Sequence, residues 1–326
     1  MKKIVWLVRE YENNYGGTEY SPAINFWFGT LERLGYEVKY YPYENYEAET
    51  FYQKMKEYKP DYIIHACYEQ IHTEFVKLRE FTKVLIIQSD DDWRYSTYAR
   101  FWIPFVDNVI TLQGDKNAEP GTRCRDLIDW YLQDGLTSDQ IHTVRCAFNP
   151  NTMLADHLLP KDITVSHGGS LYGERETLLQ QFKHLGVDVS IVNKVFYAQL
   201  VELWNRSKFS LSFTKASDGQ FRQKKGRIGE IGYYSVVVSE PFPNIEEYYE
   251  DGKEFILFNS VEEAVDKIRY YSNNEKEYLK LLSNSRNRLW NTNTSLHQWD
   301  TLMSKIDPDY VKKDVAKLLS EYKQPI

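Results

Sequence analysis

Two α/β domains in tandem, each a parallel sheet wound with helices on both faces, are the fold class this sequence predicts. Three observations carry it. Short apolar runs alternate with stretches of helical period, the alternation comes in two series, and an irregular stretch with prolines lies between them. Strand and helix in alternation imply parallel strands joined by crossovers, so the strands are covered on both sides. Two such sheets in succession are expected to face each other across a cleft.

The first series opens with "KIVWLV" at residues 3–8, followed by the loop "REYENNYGGTEY". Ser21 and Pro22 then supply an N-cap and an N1 proline for a helix with Ile24, Trp27, Phe28, Leu31 and Leu34 on one face, and Gly35 ends it. "EVKYY", "DYIIHA", "KVLIIQ" and "NVITL" are the next strands, with helical segments at residues 47–58 and 71–81. "CAFNPNTMLADHLLPKD" has neither period, and the boundary is placed there, giving a first domain of residues 1–155. In the second, residues 156–292, the strands are "ITVSHGG", "VDVSIV", "KFSLSF", "SVVVSE" and "EFILF", with helices at 174–184, 197–206 and 261–271. From residue 275 the chain reads as helical throughout, broken near residues 291–294 and at Pro308, and residues 293–326 form a terminal helical segment.

Composition narrows the function. With 326 residues, 42% of them hydrophobic, the chain can build two cores. No apolar run is long enough to span a bilayer, and Arg9 and Glu10 cut short the opening apolar stretch, so neither a signal peptide nor membrane insertion is expected and the location is cytoplasmic. A net charge of −7 gives no global attraction to nucleic acid or anionic lipid. Cys67, Cys124 and Cys146 are scattered and lack metal or disulfide spacing; they read as buried thiols. His65, His72 and His297 form no paired-histidine motif, so no metal site is expected, and His65 at the end of an apolar strand reads as a core histidine.

Ligands of open α/β sheets bind beyond the carboxyl ends of the strands. Three loops at that edge carry suitable groups. In "SHGGSLYGERETLL", Gly168 and Gly169 would let a phosphate approach the backbone, with Ser170 and Tyr172 beside it and Arg175 bringing a forked cation one turn into the next helix. In the stretch from "SFTKASDGQF" to "KKGRIGEIGYYSVVVSE", Lys215, Arg222, Lys224, Lys225 and Arg227 crowd the approach to a strand. Lys224 and Lys225 read as a solvated face. Arg227 and Glu230, three apart, share one face of a short helix, where the guanidinium can neutralise a diphosphate and the carboxylate can accept both vicinal hydroxyls of a ribose; an ion pair within the helix is the bland alternative. The third loop, "GGTE", offers Gly16 and Gly17 for close contact on the other side of the cleft.

The segments "VSHGGSLYGERETLL", "NRSKFSLSFTK", "GRIGEIGYYSVVVSEPFPNIEEYYEDGKEFILF" and "EEAVDKIRYYSNNEKEYLKLL" together resemble the carboxy-terminal domain of CgeB-like (spore maturation protein) glycosyltransferases. These are GT-B enzymes akin to the group-1, family-4-type retaining glycosyltransferases, and "GGTE", "LGYEV" and "IIQSDDDWR" are similar to that group as well. The resemblance implies a GT-B architecture, with terminal helices that begin at "TNTSLHQWD" and cross back to the first domain. It implies no cofactor beyond a nucleotide-sugar co-substrate, with UDP-sugar the expected form. Glu230 corresponds to the second, ribose-binding glutamate of the E-x7-E signature, while Arg222 stands where the first belongs. Arg175, with Lys215 or Arg227, fits the cations that flank the diphosphate.

The expected reaction is sugar transfer to a hydroxyl of a glycan, a protein or a modified DNA base. Arg175 and Lys215 stabilise the leaving diphosphate, and Asp92 is a candidate base or hydroxyl anchor. Asp91, Asp92, Trp93 and Arg94 then line the acceptor side with Gly16 and Gly17. Three alternatives stay open. The acids at residues 90–92 also satisfy the D-x-D pattern of metal-dependent GT-A enzymes. A non-catalytic nucleotide-sugar binder would keep the same basic loop. A DNA glycosyltransferase would use a basic, aromatic groove, for which Arg94, Arg100, Trp102 and Lys116 are available.

Overall fold

The computed structural model describes residues 1–8, 27–42, 47–65, 75–88, 94–193, 195, 197–215 and 221–324. They fall into two compact units. Of the described residues, unit 1 takes those up to Arg145 together with Trp299–Lys313, and unit 2 takes Cys146–Gln298 and those from Asp314 onward. The sequence places the division ten residues later, inside "CAFNPNTMLADHLLPKD". Residues 146–148 belong to unit 2 because Phe148 stacks on Tyr233 at 4.5 Å, and its N–H and C=O bond to Asn293 and Ser295 at 3.1 and 2.8 Å.

Unit 1 is a six-stranded parallel sheet in the order β2-β1-β3-β4-β5-β6. Its strands are β1 (Lys3–Val8), β2 (Glu37–Pro42), β3 (Tyr62–His65), β4 (Lys83–Gln88), β5 (Asn108–Thr111) and β6 (Ile141–Thr143). Its helices α1 (Thr30–Arg33), α2 (Ala48–Tyr58), α3 (Phe75–Leu78) and α4 (Arg123–Gln133) lie between them. On α2 the Glu47 side chain accepts the Thr50 N–H, so the helix starts on its own cap. One face of the sheet packs Val5, Leu7, Ile63, Val84, Ile86 and Val109 against Phe51 and Met55 of α2 and Leu127 and Tyr131 of α4. Trp6 points away from that cluster and meets Trp27 and Trp299, the latter edge-on at 5.3 Å. Burial of strand residues on alternate faces is what two-sided cover requires.

The five strands expected in unit 1 are present. The sequence reading passed over α4 and β6. The buried Cys124, Leu127, Ile128 and Tyr131 of α4 sit at helical spacing, so a signal was there; the three residues of β6 are too few to show an alternation.

Unit 2 is a five-stranded parallel sheet in the order β11-β10-β9-β7-β8. The strands are β7 (Ile163–Gly168), β8 (Val189–Val192), β9 (Ser207–Ser212), β10 (Val236–Ser239) and β11 (Ile256–Leu257). The helices are α5 (Pro150–Met153), α6 (Arg175–His184), α7 (Tyr197–Arg206), α8 (Arg227–Ile231), α9 (Val261–Asn273), α10 (Glu275–Thr292) and α12 (Val315–Ser320), while α11 (Ser295–Ile306) starts in unit 2 and belongs to unit 1 from Trp299 onward. Val165, Phe209, Leu211, Val236 and Val238 form one core with Phe182 of α6 and Val265 and Ile268 of α9. The opposite face of the strands carries hydroxyls. Ser166 and Ser210 bond at 2.8 Å, Ser210 donates to Ser235 at 2.9 Å, and Ser235 donates to the Lys208 C=O at 3.1 Å, all fully buried. No helix among the described residues is long and apolar enough to cross a membrane.

The short helix α8 is held by close backbone approach. A Cβ on Gly229 would stand 2.6 Å from the Cys146 C=O, and one on Gly232 would stand 2.1 Å from the Tyr249 hydroxyl. Backbone cannot move aside as a side chain can. Gly229→Ala is expected to lower stability by about 1–3 kcal/mol in denaturant titration, and an unchanged midpoint would remove the close approach from its role.

Candidate functional site

The strand order of unit 2 reverses between β7 and β9, and this is where open parallel sheets place a ligand. The loop after β7 crosses that point. Gly169 has φ +129, donates its N–H to the Val192 C=O at 2.9 Å, and leaves bare backbone where a side chain would otherwise stand. The Arg227 guanidinium occupies that space: a Cβ on Gly169 would lie 1.9 Å from its Nη2. Gly168 is likewise tight, with its absent Cβ 2.8 Å from Leu200 of α7.

Cations surround this loop. Arg175, 2% exposed, sends Nη1 to the Ser170 C=O at 2.8 Å and Nη2 to the Tyr172 hydroxyl at 2.6 Å and the Phe213 C=O at 3.3 Å. Its guanidinium also lies over the Tyr172 ring at 3.7 Å, so it shapes the loop from beneath. Lys225 donates to the Tyr172 hydroxyl at 3.4 Å. That phenol oxygen accepts from two cations and keeps its own proton to donate. Lys215 pairs with Glu174 at 2.6 Å, both half-exposed. Arg222 pairs with Glu240 at 3.0 Å and donates to the Thr214 hydroxyl at 3.0 Å, while Glu240 also accepts the Thr214 N–H at 2.8 Å.

The expectation of a solvated face for Lys224 and Lys225 is overturned. Lys224 is only 6% exposed and Lys225 is half-buried against Gln223 and Tyr172, because the segment folds back over the loop that Arg175 organises.

Burial shapes the electrostatics. Arg175 is lowered to about 10, first by desolvation and then by the charge of Arg227. His167, fully buried at the end of β7, is lowered to about 3 by burial and by Arg227; its Nδ1 lies 3.2 Å from the Leu211 C=O and so carries the proton, leaving Nε2 an acceptor. Glu230 is raised to about 7 by burial, against the opposing pull of Arg227 and a hydrogen bond of 3.1 Å from the Tyr197 hydroxyl. Arg175 Nε, His167 Nε2 and Ser212 Oγ are buried near this edge with no hydrogen-bond partner among the described residues.

Unit 2 therefore brings together the predicted Gly169, Ser170, Tyr172, Arg175, Lys215, Arg227 and Glu230 on the loops and short helix at one sheet edge. In unit 1, Gly16, Gly17, Asp91, Asp92 and Trp93 lie outside the described residues, as does the rest of the acidic D-x-D candidate. Arg94 opens a turn whose first carbonyl accepts the Tyr98 N–H at 2.8 Å. Trp102 is fully buried against His65 at 4.6 Å, so it belongs to the core and not to a nucleic-acid groove; His65 is the core histidine expected. Sequence reasoning missed Glu240, Tyr197 and His167. Glu240 had a signal, an acid directly after the buried strand "VVVS"; Tyr197 and His167 meet the site only through the fold.

Residues 154–304 match the model of the glycosyl transferase-like family. No curated protein sequence matches the chain. Among solved structures, HepE of Anabaena in complex with UDP-glucose aligns over 93% of this chain and 100% of its own, at TM-score 0.60 and 12% identity. Sucrose-phosphate synthase from Thermosynechococcus elongatus aligns over 95% and 98%, at 0.57 and 10%. An alpha-glucosyltransferase in complex with UDP-glucose and DNA containing an abasic site aligns over 94% and 99%, at 0.62 and 12%. The fold is thus α/β with two parallel sheets, of the GT-B kind.

A Glu230 value of about 7 against an ordinary 4.5 has a thermodynamic consequence. Between those pH values the folded chain binds the proton and the unfolded chain releases it, so Glu230 favours folding below pH 4.5 and that contribution is lost as pH rises through 7. Calorimetry from pH 4 to 8 is expected to show a steeper fall in stability for the wild type than for Glu230→Gln, which keeps an acceptor for Tyr197 and does not titrate; parallel profiles would contradict the assignment.

Proposed function

We propose that this protein is a glycosyltransferase that takes a sugar from a nucleotide-sugar donor, with UDP-sugar the preferred form, and joins it to a hydroxyl acceptor without a metal ion. The observation that carries the proposal is the Arg227 guanidinium lying on the bare backbone of Gly169 at the switch point of unit 2. A guanidinium seated on a side-chain-free turn at the switch point suits a diphosphate, which needs fixed positive charge for neutralisation. The family match spans this whole sheet, and structural neighbours with UDP-glucose support the donor class.

In the reaction the acceptor hydroxyl oxygen bonds to the anomeric carbon on the same face from which the diphosphate oxygen departs, as retention requires, while the bond from that carbon to the diphosphate oxygen breaks. The hydroxyl proton passes to a base, for which Asp92 is the candidate. Negative charge grows on the departing diphosphate, and cations fixed in advance lower the barrier most. Arg227 and Lys215 supply that charge here. Arg175 holds the loop that presents Gly169 and Ser170, and Tyr172 offers its phenolic proton. Ionised Glu230 accepts the ribose hydroxyls; a ligand that donates two hydrogen bonds would itself favour the ionised form. Retention of anomeric configuration is carried over from the family resemblance and belongs to the proposal on that footing.

A DNA acceptor is the weaker reading. The net charge is −7, Trp102 is core, and Arg100 is paired with Asp134 at 3.1 Å.

UDP is expected to raise the melting temperature of the full chain equally with and without EDTA; a rise only with manganese or magnesium would hand the reading to the D-x-D motif. Arg227→Met is expected to lower kcat/KM for sugar transfer or donor hydrolysis by about 100-fold, roughly 3 kcal/mol, on the scale of a lost transition-state donor. Unchanged kinetics would remove Arg227 from its role.

A further inference from the structure

A second recess lies in unit 2 at the other end of the sheet. Asp251 and Gly252 precede β11, and α9 runs back from the carboxyl ends of the strands, so its last turn, with Tyr270 and Tyr271, returns to the amino ends. These residues, with Ile256, Asp266 and Lys267, line a cavity of about 380 Å³, within the range of small-ligand sites. The switch-point crevice lies at the carboxyl ends, so the two places are separate.

The lining has a definite chemistry. Tyr270 is 54% exposed, unusual for a ring of its size, and meets Tyr271 edge-on at 5.1 Å and 84°. The second ring is fixed by its hydroxyl, which donates to the Gly252 C=O at 3.4 Å. One turn before Tyr270, on the same face of α9, Asp266 has no hydrogen bond or ion pair among the described residues. Asp251 takes the Leu257 N–H on one oxygen at 2.8 Å and keeps the other 3.9 Å from Lys267 Nζ. Lys267 is committed to Glu263 at 2.8 Å and to the Leu257 C=O at 2.7 Å.

The balance of these groups selects a ligand class. Ionised carboxylates only accept hydrogen bonds, so the occupant must bring donors. Asp266 and Asp251 repel phosphate, and Lys267 is already matched by Glu263, so a nucleotide or sugar phosphate is disfavoured. An open aromatic face takes an apolar C–H surface. A compact molecule with hydroxyl donors on its rim and C–H bonds on its face meets both demands, and a pyranose is such a molecule. We propose that the recess framed by Tyr270, Tyr271, Asp251 and Asp266 binds an unphosphorylated pyranose unit of a glycan. The inference goes beyond the proposed transfer reaction and does not need it. If both hold, a glycan tethered here would raise the effective concentration of its free end.

Saturation-transfer NMR on the full chain tests this, with maltotriose, cellotriose and chitotriose as probes and tetramethylammonium as a cationic competitor. The expected result is transfer to sugar ring protons that persists in saturating UDP, weakens about tenfold in apparent affinity in Tyr270→Ala, and weakens also in Asp266→Asn. Both substituted side chains are exposed, so melting temperatures are expected to match the wild type. The proposal is overturned if none of the three sugars shows transfer, if Tyr270→Ala leaves it unchanged, if UDP displaces the sugars, or if tetramethylammonium displaces them. Failure of UDP to bind, with sugar transfer intact, would count against the transferase reading alone.

Discussion

Arg227 resting on Gly169 is the contact on which the rest of the site depends. Positive charges are hard to gather: guanidinium and ammonium groups close together repel, and burial penalises each one. The depressed Arg175 and the neutral His167 both register that penalty, burial acting first and the charge of Arg227 adding to it in each case. The chain compensates at several points. Tyr172 shields Arg175 with its ring, Glu174 balances Lys215, and Glu240 balances Arg222. The arrangement stores positive potential at one sheet edge and holds it without rearrangement, which is what a preorganised anion site requires.

Arg222 and Glu240 show how a departure from a family pattern can be absorbed. The arginine stands where an acid belongs in the resembling signature, and an acid eighteen positions later in the chain comes back to meet it. Glu240 is nearly buried and also holds the Thr214 N–H, so the pair ties the ends of β9 and β10 together. The charge pattern at the edge is thus set by tertiary contact and not by spacing along the chain.

Much of the fold was legible because it rests on period. All ten of the strands read from the sequence are present, and helices at 47–58, 174–184, 197–206 and 261–271 appear within a residue or two. Legibility failed where the signal was short or folded back on itself. β6 has three residues, and residues 146–148 look irregular yet carry Phe148 into a ring stack with Tyr233. The loop "HGGSLYGER" announced its glycines and its arginine, but not that Arg175 would turn inward to brace the turn. Lys224 and Lys225 read as surface because charge runs usually are; here a tyrosine hydroxyl and neighbouring side chains take them in. Glu230 was found from spacing, whereas Tyr197, thirty-three residues away, is joined to it only by packing.

The hydroxyl row through Ser166, Ser210 and Ser235 has a consequence for how this sheet can change over generations. Each member hands its proton to the next, so truncating one of them to alanine strands a neighbour in a dry interior, while exchanging the whole set for small apolar groups costs little. Single steps along that route are steep and the full exchange is nearly level. Descendants of this chain should therefore either keep all of the hydroxyls or lose them as a block.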